Sequence, residues 1–278
     1  MKPWGRVLTA VALAIAIGAS ACPAIAQEAD PTDRLALSPY WTQAITRWER
    51  LIQHYSEQNQ FDADFIAAVI WKESLGRPTA HSPAGAVGLM MLMPFPWRPS
   101  PQELENPYTN VAWGTRTLLQ IIGDGDGDLY YALAAYNGSW EKVDQSNTRR
   151  YAASVLDHYS RAVAMEYGLP LDGDWAAVFA VEGGHGPKTI TVIGPQQPVA
   201  RYTERMWHTD LPSVPPGFAP HATVVAFLDE QGEQCAVRVW LMQADGLPVP
   251  HPLAPTPVTS STPDAVQSLQ VLSPFIPD

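Results

Sequence analysis

Apolar residues recur at steps of three and four along the first half of the sequence and in short β-prone runs along the second. Trp41, Ile45, Trp48, Leu51, Ile52 and Tyr55 share one face of a helix with 3.6 residues per turn. Asp62 or Asp64 stands where an N-cap is needed, ahead of the apolar positions Phe65, Ile66, Val69 and Ile70, and Gly76 with Pro78 predicts the stop. Residues 79–99 are rich in turn formers, among them Gly85, Gly88, Pro94 and Pro96. Further helices are predicted near 109–122 and 129–137. A last one opens at Asn147 or Thr148 and carries Tyr151, Val155, Tyr159 and Val163 inward. From about residue 172 the pattern changes. Trp175 to Val181, Thr189 to Ile193, Thr223 to Leu228 and Gln234 to Met242 read as strands, the last two joined by the turn signal Asp229-Glu230-Gln231-Gly232-Glu233.

The expected class is therefore mainly α: a helical domain over 27–168, then a small β-rich module over 169–245. Residues 246–278 hold eight prolines and are expected to form a Pro-rich tail, partly extended or disordered.

The start of the chain reads as an address. Lys2 and Arg6 precede an apolar run from Val7 to Ile17, broken by Thr9, and Ala24-Ile25-Ala26 follows as an A-x-A cleavage pattern. The run is shorter than the roughly 20 residues that span a bilayer. Residues 1–26 are thus expected to be a signal peptide on a protein exported to the cell envelope or beyond, without a stable membrane span. Two alternatives stay open. An uncleaved anchor is one. The other is lipoprotein processing at Ala19-Ser20-Ala21-Cys22, with Cys22 acylated, although Ala19 stands where Leu is usual.

Composition narrows the chemistry. Of 278 residues, 46% are hydrophobic, enough for a real core, and the net charge is −11. An acidic chain without clustered cations is a poor nucleic-acid binder. With only Cys22 and Cys235, a disulfide framework is excluded, and Cys235 reads as buried apolar filler. Asp124, Asp126 and Asp128 have the spacing of a calcium loop, but Leu129 and Ala135 stand where that loop needs Gly and Glu. A turn ending with Asp128 as N-cap accounts for them. The histidines form no H-x-x-x-H pair and have no companion Cys cluster, so no zinc site is expected.

Glu73 shares a helix face with Ile66, Val69 and Ile70. Desolvation at the end of such a stripe raises a carboxyl pKa, and the negative end of the helix dipole pushes the same way. That is the character of a general acid for glycosidic cleavage. The same spacing also fits a helix-end Glu whose head reaches water beside Lys72 or Arg77.

The surrounding motifs choose between them. Glu73-Ser74 is followed by Ser82, then Gly85-Ala86-Val87-Gly88-Leu89-Met90-Met91-Leu92-Met93-Pro94, then Asn110-Val111 with Gly114, then Ala134-Ala135-Tyr136-Asn137-Gly138. In that order they resemble the soluble-type lytic transglycosylase family over roughly residues 40–165. The resemblance implies a lysozyme-like fold and cleavage of the β-1,4 bond between N-acetylmuramic acid and N-acetylglucosamine in peptidoglycan strands. It implies Glu73 as the catalytic acid/base and Ser82, Met91, Met93, Tyr136 and Asn137 as substrate-binding residues, with Tyr136 near Glu73 or the acetamido group. Met91 replaces the family's usual Gln, and Gly138-Ser139-Trp140 departs from the usual sequence after Tyr-Asn. The resemblance supplies only one carboxylate, so the expected reaction returns the proton through Glu73 and closes a 1,6-anhydro ring, with no metal or organic cofactor; hydrolysis and a weakly active binding module are the alternatives. No protein partner is indicated. Trp175, Trp207 and Trp240 are either buried core or sugar platforms.

Overall fold

The structure, a computed structural model, describes residues 37–186, 189–203, 218–243 and 246–250. The expected signal peptide, Cys22, Trp207 and the tail from 251 onward lie outside the described residues. Seven α-helices are found among them: α1 (Gln43–Thr46), α2 (Glu49–Asn59), α3 (Ala63–Ser74), α4 (Pro101–Leu104), α5 (Pro107–Asp124), α6 (Leu129–Asn137) and α7 (Ser146–Glu166). Five strands follow: β1 (Trp175–Gly183), β2 (Thr189–Gly194), β3 (Gln197–Thr203), β4 (Ala222–Leu228) and β5 (Gln234–Gln243). No helix among the described residues is long and apolar enough to cross a membrane.

The stripe from Trp41 to Tyr55 predicts one helix, and the chain forms two. It leaves helical geometry at Trp48 (φ −98°, ψ 5°). There the Arg47 guanidinium and the Trp48 indole N–H both donate to the Gly76 carbonyl, tying the break to the end of α3. α3 begins where Asp62 accepts the Asp64 N–H at 2.9 Å, and Phe65 through Ile70 are all buried. It stops at Leu75, in the left-handed region at φ 55°, one residue before the expected Gly76. Gly76 follows because a Cβ there would fall 2.1 Å from the Ala44 carbonyl oxygen. Asp64 is buried beneath this helix and accepts from the Trp41 indole at 2.6 Å and the Ser38 N–H at 3.0 Å, which fixes the segment before α1.

Asp128 caps α6 through the Tyr131 N–H. Its other oxygen pairs with Arg201 of β3, so the Asp-Gly run closes a turn and ties helix to sheet. α7 starts at Ser146 without a side-chain cap. Thr148 instead donates its hydroxyl back to the Lys142 carbonyl at 2.7 Å, closing the 3-10 turn at Trp140–Lys142.

The sheet order is β3-β2-β1-β5-β4, with every neighbouring pair antiparallel. β3 is not predicted by the pattern, because Pro198 argues against a strand; its place at the sheet edge is where proline is tolerated. On the opposite edge, the Asp62 N–H donates to the Val224 carbonyl at 2.9 Å and the Ala226 N–H to the Gln60 carbonyl at 3.0 Å. The link between α2 and α3 thus covers β4. One apolar core runs from the helices into the sheet face that carries Ala177, Phe179, Val237 and Val239. Phe65 meets Tyr159 edge-on at 5.5 Å, and Tyr159 meets Phe179 at 6.0 Å. The alternate residues Val178, Val192, Trp240 and Met242 form a second cluster on the other sheet face. Trp175 and Trp240 are buried, as is the Cys235 thiol.

Candidate active site

α3 and α7 pack antiparallel, and tyrosine hydroxyls on α7 meet the carboxylates at the two ends of α3. Tyr159 donates to Asp62 at 3.0 Å, and Tyr151 donates to Glu73 at 2.6 Å. The Glu73 side chain keeps part of its surface open, while protein crowds its carboxyl. Burial pushes its pKa up to about 7, against the opposing pulls of the Tyr151 hydrogen bond and the Lys72 charge. This is the direction expected from the Ile66, Val69 and Ile70 stripe. Burial and the neighbouring Glu73 charge hold the Tyr151 phenol well above its ordinary pKa, so it remains a donor.

Tyr136, in the last turn of α6, lies within electrostatic reach of Glu73, but its hydroxyl is directed elsewhere. It donates to the Met90 carbonyl at 2.8 Å. Tyr136 thus stands near Glu73, and the phenol that donates to Glu73 is Tyr151. Met90 is held from the opposite side as well. Its N–H donates to the Asn110 side-chain oxygen at 2.7 Å, and the Asn110 amide donates to the Val87 and Leu104 carbonyls at 2.8 and 2.9 Å. Gly114, one turn further along α5, gives room for the Met90 side chain; a Cβ there would fall 2.3 Å from Sδ. The Asn110-Val111-x-x-Gly114 motif thus works behind the site, fixing the loop residue to which Tyr136 is bonded.

Of the other expected site residues, Ser82, Met91 and Met93 lie along that loop. The Ser82 hydroxyl accepts the Ala86 N–H at 2.9 Å, and the Ser82 N–H donates to the Ala86 carbonyl at 2.9 Å, so this serine closes the 82–86 turn. Met91 is half-buried at φ 47°, closing a turn on the Gly88 carbonyl. Met93 is half-buried, and its carbonyl accepts from the Phe95 N–H at 2.9 Å and from Arg98 at 3.4 Å. Asn137 is exposed at the last position of α6. Sequence reasoning missed Tyr151, which looks like one more apolar position on α7. The available signal was its hydroxyl, since a tyrosine facing a core needs a polar partner there.

Residues 50–157 match the family model described as the Transglycosylase SLT domain. Glu73, Ser82, Met90, Met91, Met93, Asn110, Gly114, Tyr136, Asn137 and Tyr151 all fall inside the matched stretch. The chain is 35% identical over 100 residues to the membrane-bound lytic murein transglycosylase F of Vibrio parahaemolyticus, covering 34% of this chain and 19% of that one. It is 32% identical over 112 residues to the transglycosylase of Enterobacteria phage PRD1, covering 40% and 42%. It is 28% identical over 144 residues to the soluble lytic murein transglycosylase of Escherichia coli K12, covering 40% and 22%. The chain spans less than half the length of each of these relatives. Among solved structures, the 70 kDa soluble lytic transglycosylase of Escherichia coli is similar over 45% of this chain and 25% of its own, at 24% identity and a TM-score of 0.39.

Proposed function

We infer that this protein is a peptidoglycan lytic transglycosylase with a lysozyme-like catalytic domain, in which Glu73 is the single acid/base. One observation carries the reading: within an SLT domain, one carboxyl has its pKa pushed up to about 7 by burial while a tyrosine donates to it. A carboxyl near neutrality holds its proton for a leaving oxygen and takes one back afterwards. Relatives named for lytic murein transglycosylase activity support the substrate.

Neutral Glu73 protonates the oxygen bridging N-acetylmuramic acid to N-acetylglucosamine, and that bond breaks. The acetamido carbonyl of the muramic acid holds C1. Glu73, now a carboxylate, takes the proton of the same sugar's 6-hydroxyl, whose oxygen bonds to C1 and closes the 1,6-anhydro ring. Tyr151 steadies the carboxylate between the two half-reactions by donating to it. Ser82, Met91, Met93, Tyr136 and Asn137 line the groove on this reading, and Asn110 with Gly114 fixes the loop behind them. A substrate of this kind places the protein in the cell envelope, which agrees with the leader-like start of the sequence.

Digestion of purified sacculi followed by mass spectrometry of the fragments tests the proposal. Anhydro ends, about 18 Da lighter than the hydrolytic products, are expected from the wild type and absent with Glu73→Gln. Reducing ends would show that water is the acceptor. Retention of near wild-type cleavage by Glu73→Gln would remove Glu73 from the chemistry.

A further inference from the structure

The loop that passes the site does not end at Met93. Pro94, Phe95, Pro96, Trp97 and Arg98 follow, and this stretch presents aromatic surface outward. Trp97 is 70% exposed and Phe95 41% exposed, and their rings stack at 5.1 Å with planes 22° apart. Contiguous exposed apolar surface is what marks ligand-binding grooves, whereas singly scattered apolar side chains need no explanation.

The pair is also held in place. The Phe95 N–H donates to the Met93 carbonyl at 2.9 Å, and the Arg98 N–H to the Phe95 carbonyl at 2.8 Å. The Arg98 guanidinium lies 5.3 Å from the Phe95 ring centre, on the ring face. The same guanidinium donates to Met93 at 3.4 Å and to Thr117 of α5 at 3.1 Å, and its charge is felt at Tyr136. Prolines on both sides of Phe95 restrict the backbone further. The rings are therefore fixed beforehand, continuous with the site loop, and anchored by an arginine that reaches toward the residues around Glu73.

We propose that Phe95 and Trp97 form an aromatic subsite that stacks a sugar ring of the glycan strand, beyond the bond that Glu73 cleaves. The proposal rests on the peptidoglycan reading above and extends it. β-1,4-linked N-acetylhexosamine rings carry their substituents equatorially, so each ring face is a flat array of axial C–H groups. Those weakly positive hydrogens complement the negative face of an aromatic ring; the Trp97 indole, 70% exposed and backed by the stacked Phe95 ring, offers its open face to one pyranose. A prefixed platform loses little conformational freedom on binding. A stem peptide has no comparable flat apolar face.

Binding is measured with the full chain carrying Glu73→Gln, so that no turnover is needed. The probes are the N-acetylglucosamine hexamer and peptide-free glycan strands, titrated by calorimetry. Adding Trp97→Ala is expected to weaken both about three- to tenfold, the size of an aromatic stacking contact. Trp97→Gln, which keeps bulk without an aromatic face, is expected to weaken them equally, and Trp97→Tyr to restore most of the affinity. Unchanged binding with Trp97→Ala and Trp97→Gln would overturn the subsite. Peptide-bearing strands are titrated alongside, and a Trp97 effect confined to them would overturn the subsite too, by giving the surface to the stem peptide. The activity is read separately from the wild-type product masses. Trp97-dependent strand binding without cleavage would leave the subsite standing and defeat the transglycosylase reading. Anhydro products with Trp97-independent binding would do the reverse.

Discussion

Tyr151 donates its hydroxyl to Glu73 at 2.6 Å, joining α7 to α3 across 78 positions of sequence. The bond favours the ionised carboxylate and so works against the burial that raises the Glu73 pKa. The two influences together leave the group near 7. Activity on sacculi is therefore expected to fall as pH rises through about 7, since only the protonated acid starts the reaction. Tyr151→Phe removes the opposing pull, and the alkaline limb should move upward by about one pH unit or more, as a charge-assisted hydrogen bond of about 1.5–3 kcal/mol implies. A pH–rate profile of the two proteins checks this. An unmoved limb would mean that Tyr151 does not act on the titration of Glu73.

The same shift predicts a stability effect with a definite sign. In the folded protein Glu73 holds its proton to about 7, whereas its ordinary value is 4.5. Between these values the folded state binds more proton than the unfolded one, so this group makes stability fall as pH rises through that window. Below it the contribution vanishes. Glu73→Gln keeps the size and can still accept from Tyr151, and it does not ionise. Its melting temperature should match the wild type near pH 4 and exceed it by a few degrees at pH 8. Thermal melts at both pH values decide the point; an equal difference at both would show that Glu73 is not held protonated by the fold.

Asn110 gives a prediction about support. Its side chain makes three hydrogen bonds to the backbone of the site loop and of α4, all buried. Asn110→Ala leaves the Met90 N–H and the Val87 and Leu104 carbonyls without those partners. The Val87 carbonyl keeps the Leu92 N–H at 2.9 Å, while the other two groups are orphaned at about 1–3 kcal/mol each, so a loss of a few kcal/mol is expected in chemical denaturation. Below the melting range activity should also drop, because Met90 carries the carbonyl to which Tyr136 is bonded. A variant with wild-type stability would show that the loop holds its shape by other means.

How much of this was legible depends on the distance between cause and effect. Ile66, Val69, Ile70 and Glu73 lie on one helix, so periodicity alone shows which way Glu73 faces and in which direction its pKa moves. Asp128 is legible as a cap for the same reason: its partner, Tyr131, is three residues away. The partner of Glu73 is not legible, because the Tyr151 hydroxyl signals that some polar group must meet it and not which group across the core does so. The break between α1 and α2 depends on the Gly76 carbonyl, far along the chain, and the apolar stripe continues across it. β3 is hidden by Pro198, which is a strand breaker everywhere but at an edge, and edge position belongs to the assembled sheet.

Met91 offers a test of the groove itself. It stands where the resembled family has Gln, and it is half-buried at φ 47°. A Gln in that place reaches solvent or sugar with its amide, so Met91→Gln should leave the unfolding free energy within about 0.5 kcal/mol of the wild type. If the side chain faces the strand, one added hydrogen bond of about 0.5–1.5 kcal/mol should lower KM on sacculi severalfold. A clear fall in melting temperature with no gain in KM would place Met91 in packing instead.

The sheet supplies the last prediction, because the helices do not close their own core. Phe179 of β1 packs on Tyr159, which packs on Phe65, and Val224 and Val225 of β4 belong to the same apolar cluster. β4 is also hydrogen-bonded to Gln60 and Asp62, at the N-terminal end of the helix that carries Glu73. A fragment ending at residue 168 would bare these faces and leave the Asp62 N–H and Gln60 carbonyl to water. Each large apolar side chain returned to solvent costs about 1.5–3 kcal/mol, and several are uncovered together. That sum is comparable with the whole stability of an ordinary domain. The fragment is therefore expected to keep helical circular dichroism while losing a sharp thermal transition, and to bind a hydrophobic dye. A cooperative melt close to that of the full chain would show instead that the helical part folds by itself and that the sheet contributes no cover it needs.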